Sequence, residues 1–148
     1  MITTEKAIEL IKENISSEKN TVKINIKKSI GMFLAENVKS NINIPPSDNS
    51  AVDGYAINLA QYKKNHSNVY EIVSEINAGD IFRKKIKKYQ CIRVSTGAHL
   101  PKHLDTVIML EDTKLLDNNS VELPKAISDK KNIRKKGEDI KKGKVVIS

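Results

Sequence analysis

Asp53 is the residue of this chain best suited to chemistry. It lies in the run Asn43-Ile44-Pro45-Pro46-Ser47-Asp48-Asn49-Ser50-Ala51-Val52-Asp53-Gly54-Tyr55-Ala56-Ile57. A carboxylate there can hold a divalent cation or accept a proton. The same side chain can instead cap turn amides beside Gly54, and the residues alone leave both roles open. Thr96 stands before Gly97, where its hydroxyl and the nearby amides suit an oxyanion, or an ordinary hydroxyl–backbone turn. Asp48, Asn49 and Ser50 read as shaping the loop rather than touching a ligand. Tyr55 is expected to be partly buried with its hydroxyl satisfied, and Glu111 to buttress the loop or pair with a lysine. His66, His99 and His103 form no metal-ligand spacing and receive no role. The single cysteine, Cys91, excludes an internal disulfide and suggests no cysteine metal site; within Cys91-Ile92-Arg93-Val94 it reads as a small core residue.

These residues need rigid elements to hold them. Pro45 and Pro46 fix φ and keep the approach to the loop extended. Residues 51–57 then read as a strand with Val52, Tyr55 and Ile57 as its bulky members. A rigid polar loop at the mouth of a strand suits a small-molecule site, and a self-satisfied turn is the alternative. Ahead of it, residues 4–15 carry Ala7, Ile8, Ile11 and Ile15 at helical spacing, with Thr3 or Thr4 as N-cap and Glu5 near the positive end. Residues 16–20 are a polar break. The alternation over 21–26 predicts a strand, and 29–36 predicts a short helix with Ile30, Phe33 and Leu34 on one face. Residues 37–44 read as extended.

Beyond the loop, 61–68 is polar, lysine-rich and predicted exposed. Residues 69–76 predict a strand and Asn77-Ala78-Gly79-Asp80 a turn, while 81–89 is basic and ambiguous. Residues 91–94 and 106–110 predict short buried strands, 117–119 a hairpin tip, and 121–123 the strand that follows it. Residues 132–134 and 144–147 complete a β-rich region, with Gly137 and Gly143 as turns.

Lys and Arg number 26 against 18 acids, a net charge of +8. Nucleic-acid binding is the obvious test of such an excess. The lysines are scattered in pairs without interleaved aromatics, and no zinc-finger spacing occurs, so a solvated surface is the reading and no nucleic-acid partner is expected. The N-terminus lacks the long apolar core of a signal peptide, and no segment approaches the roughly 20 apolar residues of a membrane helix. A cytoplasmic protein with no membrane contact is expected.

Three blocks carry a resemblance. Pro45-Pro46-Ser47-Asp48-Asn49-Ser50-Ala51-Val52-Asp53-Gly54-Tyr55-Ala56 resembles the signature loop of the molybdopterin molybdenumtransferases, the family of the bacterial MoeA proteins and the gephyrin E domain. Arg93-Val94-Ser95-Thr96-Gly97-Ala98-His99-Leu100-Pro101, followed by Asp105-Thr106-Val107-Ile108 and Glu111, is similar to a second family block. Arg134-Lys135-Lys136-Gly137-Glu138-Asp139-Ile140-Lys141-Lys142-Gly143 is similar to a third. The blocks stand in the family's order and at about its spacing. Val52 stands where methionine is usual. Lys102-His103-Leu104 replaces the usual x-Gly-Ala, and Lys135 stands where proline is common.

The resemblance implies a mainly β fold with one or two short helices (α+β), made of two small β-rich domains, one inserted in the other. Residues 1–43 plus 123–148 would form a helix and an elongated β domain. Residues 44–122 would form the inserted domain with the signature loop. The family continues past this region into an α/β domain and a C-terminal β domain. The resemblance implies insertion of molybdate into adenylated molybdopterin with release of AMP, with Mg²⁺ at the phosphates. It further implies a homodimer whose active site lies between subunits, and a molybdopterin adenylyltransferase as upstream partner. No complete activity is expected from this portion alone, where Ile8, Ile11 and Ile15 would lack their usual packing surface. Asp53 and Thr96 become the candidate catalytic pair, with Asp53 the metal ligand. Asp48, Asn49, Ser50, Gly54, Tyr55, Gly97, Glu111, Arg134 and Asp139 become binding or supporting residues, Arg134 and Asp139 either as electrostatic support or as a structural ion pair. A non-catalytic dimerisation or docking module of the same family is the alternative.

Overall fold

Short strands with uninterrupted apolar residues need cover on both faces. The computed structural model, which describes residues 2–15, 20–127 and 129–148, supplies that cover with a six-stranded sheet. Its strands are β3 (Gly54–Ile57), β4 (Val69–Ile76), β5 (Gln90–Val94), β6 (Thr106–Met109), β7 (Lys114–Asp117) and β8 (Ser120–Glu122), in the order β6-β3-β5-β4-β8-β7. All neighbours are antiparallel except β4 and β5. Alternation along the central strands feeds two clusters. Tyr55, Ile57, Cys91 and Ile108 pack with Tyr70 and Val121, while Ala56, Ile92, Val94 and Val107 pack with Ile76 and Leu100. A register shift between Ile72 and Glu75 separates Ile76 from Tyr70, which joins the first cluster. The fold is thus mainly β with two short helices, as the sequence predicts.

The sheet belongs to a compact unit spanning Val38–Ile147. Three short pairings join the two ends of that unit. β1 (Val38–Lys39) pairs with β10 (Val145–Ile147), Ile44 bridges Ile140, and β2 (Asn49–Ser50) pairs with β9 (Ile133–Arg134). The Ile44–Pro45 peptide is cis. The second unit holds the described residues before Val38, together with Ser148. Its helix α1 (Thr4–Asn14) is capped by Thr3, whose hydroxyl accepts the Lys6 amide at 3.3 Å. None of its residues is buried, and Ile8, Ile11 and the C-cap Ile15 are exposed.

Four local predictions are corrected. Residues 21–26 alternate as a strand would but form none, because no described segment pairs with them; Ile26–Lys28 is instead a turn of 3₁₀ helix. The helix predicted over 29–36 does not form. Gly31 sits at φ +82°, which ends any helix at that point, and Phe33 is fully exposed. The strand predicted from 51 starts only at Gly54, since Ala51 and Asp53 bond to other segments. Residues 61–68 are not all exposed: helix α2 (Leu59–Lys63) buries Leu59 and Tyr62, and the Tyr62 ring stacks on Tyr70 at 6.1 Å. Asp105 accepts the Leu59 amide at 2.8 Å and so fixes the start of α2. The predicted polar break at 16–20 lies, apart from Asn20, outside the described residues.

Cys91 is fully buried, and burial pushes its thiol up to about 12. It should therefore resist a thiol reagent in the folded protein and react stoichiometrically in denaturant. Full modification within minutes under native conditions would contradict its core placement.

Candidate functional site

The signature loop is held by backbone bonds to both other blocks. The Ser50 amide donates to the Ala98 carbonyl at 3.0 Å, Gly97 donates to Ser50 at 2.8 Å, and Leu100 donates to Asp48 at 3.1 Å. Asn49 bridges His99 on one side and pairs with Arg134 on the other. Ala51 donates to Asn132 at 2.9 Å, and Gly137 to Pro45 at 2.9 Å. Segments far apart in the chain thus meet on one loop.

Asp53 and Thr96 meet there directly. The Asp53 Oδ1 accepts the Thr96 amide at 2.7 Å and the Thr96 hydroxyl at 2.9 Å. The Thr96 amide, then its hydroxyl, hold the Asp53 carboxyl below the usual carboxylate range. Both residues are exposed. Asp53 Oδ1 is therefore fixed by two donors from one residue, while Oδ2 has no hydrogen-bond partner among the described residues. Gly97 takes φ +82° as the chain turns away after Thr96. On the other side, the Asp53 carbonyl accepts the Leu110 amide at 3.3 Å.

Gly54 follows Asp53 because β3 and β6 approach closely. A Cβ built there would lie 2.0 Å from the Ile108 carbonyl oxygen. Tyr55 is buried in the core, not partly buried, and its hydroxyl has no hydrogen-bond partner among the described residues. The ring packs inward because β3 is covered on both faces; burial raises the phenol's pKa. Ser50 is also buried, its hydroxyl donating to the Val52 carbonyl at 2.6 Å, a local loop bond.

Asp48 turns towards the third block. It accepts the Lys135 ammonium at 2.8 Å and the Lys136 amide at 2.9 Å, and the Lys135 bond chiefly lowers its pKa. Arg134 pairs with Asp139 and lies 3.8 Å from Glu138, so both predicted partners make an ion pair beside the Gly137 turn. Glu111 lies exposed in the 3₁₀ turn Leu110–Asp112. It pairs with no lysine among the described residues; its neighbour Asp112 takes Lys131 at 3.6 Å instead. No described group of three His, Cys, Asp or Glu side chains could cage a metal ion. Asp53 offers one free carboxylate oxygen, which fits a Mg²⁺ ion that draws most of its ligands from water rather than from protein. Two residues left without a role by the sequence, His99 and Lys136, join this region through Asn49 and Asp48. Their proximity follows from pairings across the fold and has no signal in local spacing.

The lowered carboxylates make stability acid-sensitive. For Asp105, burial alone would raise the pKa, but the Leu59 amide and Lys130 outweigh it and the net shift is down. A carboxyl depressed in the folded state contributes stability that is fully present above its unfolded pKa of about 3.9 and drains as pH falls through the folded value. Urea midpoints should therefore fall below about pH 4. Asp105→Asn should lower the midpoint at neutral pH and flatten that acid slope; an unchanged slope would remove Asp105 from the account.

Comparison with known proteins bears on this geometry. The family model described as MoeA N-terminal region (domain I and II) matches residues 2–148. A molybdopterin molybdenumtransferase of Haemophilus influenzae is 32% identical over 147 residues, covering 99% of this chain and 36% of its own length. One from Staphylococcus epidermidis is 33% identical over 149 residues, covering 99% and 35%. The chain thus spans about a third of the length of these curated relatives. A crystal structure of a molybdopterin biosynthesis moeA protein from Pyrococcus horikoshii OT3 superposes with a TM-score of 0.85 at 29% identity, covering 99% of this chain and 39% of that one. No helix among the described residues is long and apolar enough to cross a membrane.

Proposed function

The chain belongs to the MoeA N-terminal region family, and from that premise we propose that it supplies the signature-loop side of a molybdopterin molybdenumtransferase site, where molybdate enters adenylated molybdopterin and AMP leaves. The observation that carries this reading is the Asp53–Thr96 contact: an exposed carboxylate, oriented by two donors, with one oxygen free. The direction of its pKa sorts its possible roles. A good general base has a pKa near the working pH, whereas Asp53 is shifted further below it. Asp53 therefore acts as a fixed negative charge that holds a cation or accepts a hydrogen bond from substrate. Mg²⁺ bound there would neutralise phosphate charge on the adenylated substrate, with Asp53 as the one protein ligand from this chain. Thr96 is a positioning residue for Asp53. The family's homodimer, with the loop of one subunit facing its partner, is part of this proposal, as is a cytoplasmic setting. A molybdopterin adenylyltransferase would supply the substrate.

A chimaera tests the reading. This chain would replace the matching region of the Haemophilus influenzae relative, and AMP release would be followed with adenylated molybdopterin, molybdate and Mg²⁺. Turnover within about tenfold of the parent is expected, since a misplacement of the loop by about 1 Å would already cost about 100-fold. A folded, dimeric chimaera without turnover would favour a docking module.

A further inference from the structure

A cleft of about 450 Å³ opens beside Asp48, within the size range of small-molecule sites. Four lysines from three separate segments line it: Lys102, Lys130, Lys135 and Lys136. Two are already paired, Lys130 with Asp105 at 2.7 Å and Lys135 with Asp48 at 2.8 Å. The ammonium groups of Lys102 and Lys136 have no partner among the described residues. Its two aspartates against four lysines sum to a net +2. Gathering like charges in a concavity costs repulsion, and the concavity focuses their field on whatever enters. The floor is apolar and firm, with Leu100 and Leu104 both buried. His99 lines the same cleft.

Leu104 and Lys135, which line the cleft, stand where the family that the sequence resembles commonly has alanine and proline. Two departures far apart in the sequence thus converge on one concave surface.

We propose that this cleft binds a small tetrahedral oxyanion through the free ammonium groups of Lys102 and Lys136. The occupant is either a free inorganic anion or molybdate on its way to the neighbouring loop; the two share tetrahedral geometry and negative charge. The proposal does not rest on the role of Asp53.

The test is an NMR titration of the ¹⁵N-labelled chain with inorganic phosphate, and separately with molybdate, at low ionic strength. Saturable one-to-one shifts are expected at Asp48, His99, Lys102 and Lys136. The double variant Lys102→Gln/Lys136→Gln should weaken binding at least about tenfold. Lys84→Gln/Lys85→Gln, which removes the same charge from an exposed stretch, should leave it unchanged. Tighter binding of molybdate than of phosphate would identify the cleft as a molybdate store; equal binding would identify a general oxyanion site. Non-saturating shifts spread over all lysines, or equal loss in the control pair, would overturn the proposal.

Discussion

Gly54→Ala should lower the stability of the protein by about 3 kcal/mol, the upper part of the range for overpacking a close-packed core. The reason is geometric. Gly54 sits in the central strand, opposite Val94 on one side and Met109 on the other. An added methyl would stand 2.0 Å from the Ile108 carbonyl oxygen and 2.9 Å from a Val107 methyl group. The oxygen is backbone, so a rotamer change offers no relief, and β6 must move. At this chain length, the loss corresponds to roughly 6–12 °C in Tm. A displaced β6 also disturbs the bond from the Leu110 amide to the Asp53 carbonyl, so the substitution should reach the loop as well as the core. A Tm within about 2 °C of the parent would mean that the two strands do not approach as described.

Asp53→Asn should leave the fold intact and reduce AMP release in the chimaera by about 100-fold, the scale seen when one oriented polar group facing the reacting atoms is lost. Asparagine keeps an oxygen that can accept both Thr96 donors, so the local turn survives. What it removes is the charge on the free oxygen. This separates the two readings of the residue, because a turn cap needs only the acceptor whereas a cation ligand needs the charge. Retained activity with unchanged Tm would assign Asp53 to the turn.

Much of the sheet was legible because burial leaves a local imprint. The span of β4 is the predicted one, and β5 and β6 differ from their predicted spans by one residue. The same rule failed at 21–26, since alternation reports which side could be buried but not whether a strand lies alongside. At 29–36 the apolar spacing was helical, but a single residue, Gly31, overrides spacing by turning the chain at φ +82°. Helix α2 was missed because five residues hold barely one turn, too few for a period to show. The candidate site divides in the same way. Asp53 and Thr96 could each be picked out by residue type and by the motifs around them, yet 43 positions separate them, and only the pairing of the signature loop with the second block brings them into contact. The basic cleft was invisible for the same reason. Its lysines look like scattered solvated pairs until the loops at 99–104 and 130–136 fold against Asp48.

The central claim is that Thr96 holds Asp53 in place for chemistry at the signature loop. A double-mutant cycle of Asp53→Asn and Thr96→Val, read by AMP release in the chimaera with Tm followed in parallel, tests it most directly. Strong non-additivity is predicted: each single variant loses most of the activity, and the double variant is little worse than Asp53→Asn alone. Additive losses, or full activity in either folded single variant, would show that the contact serves the turn and not the reaction.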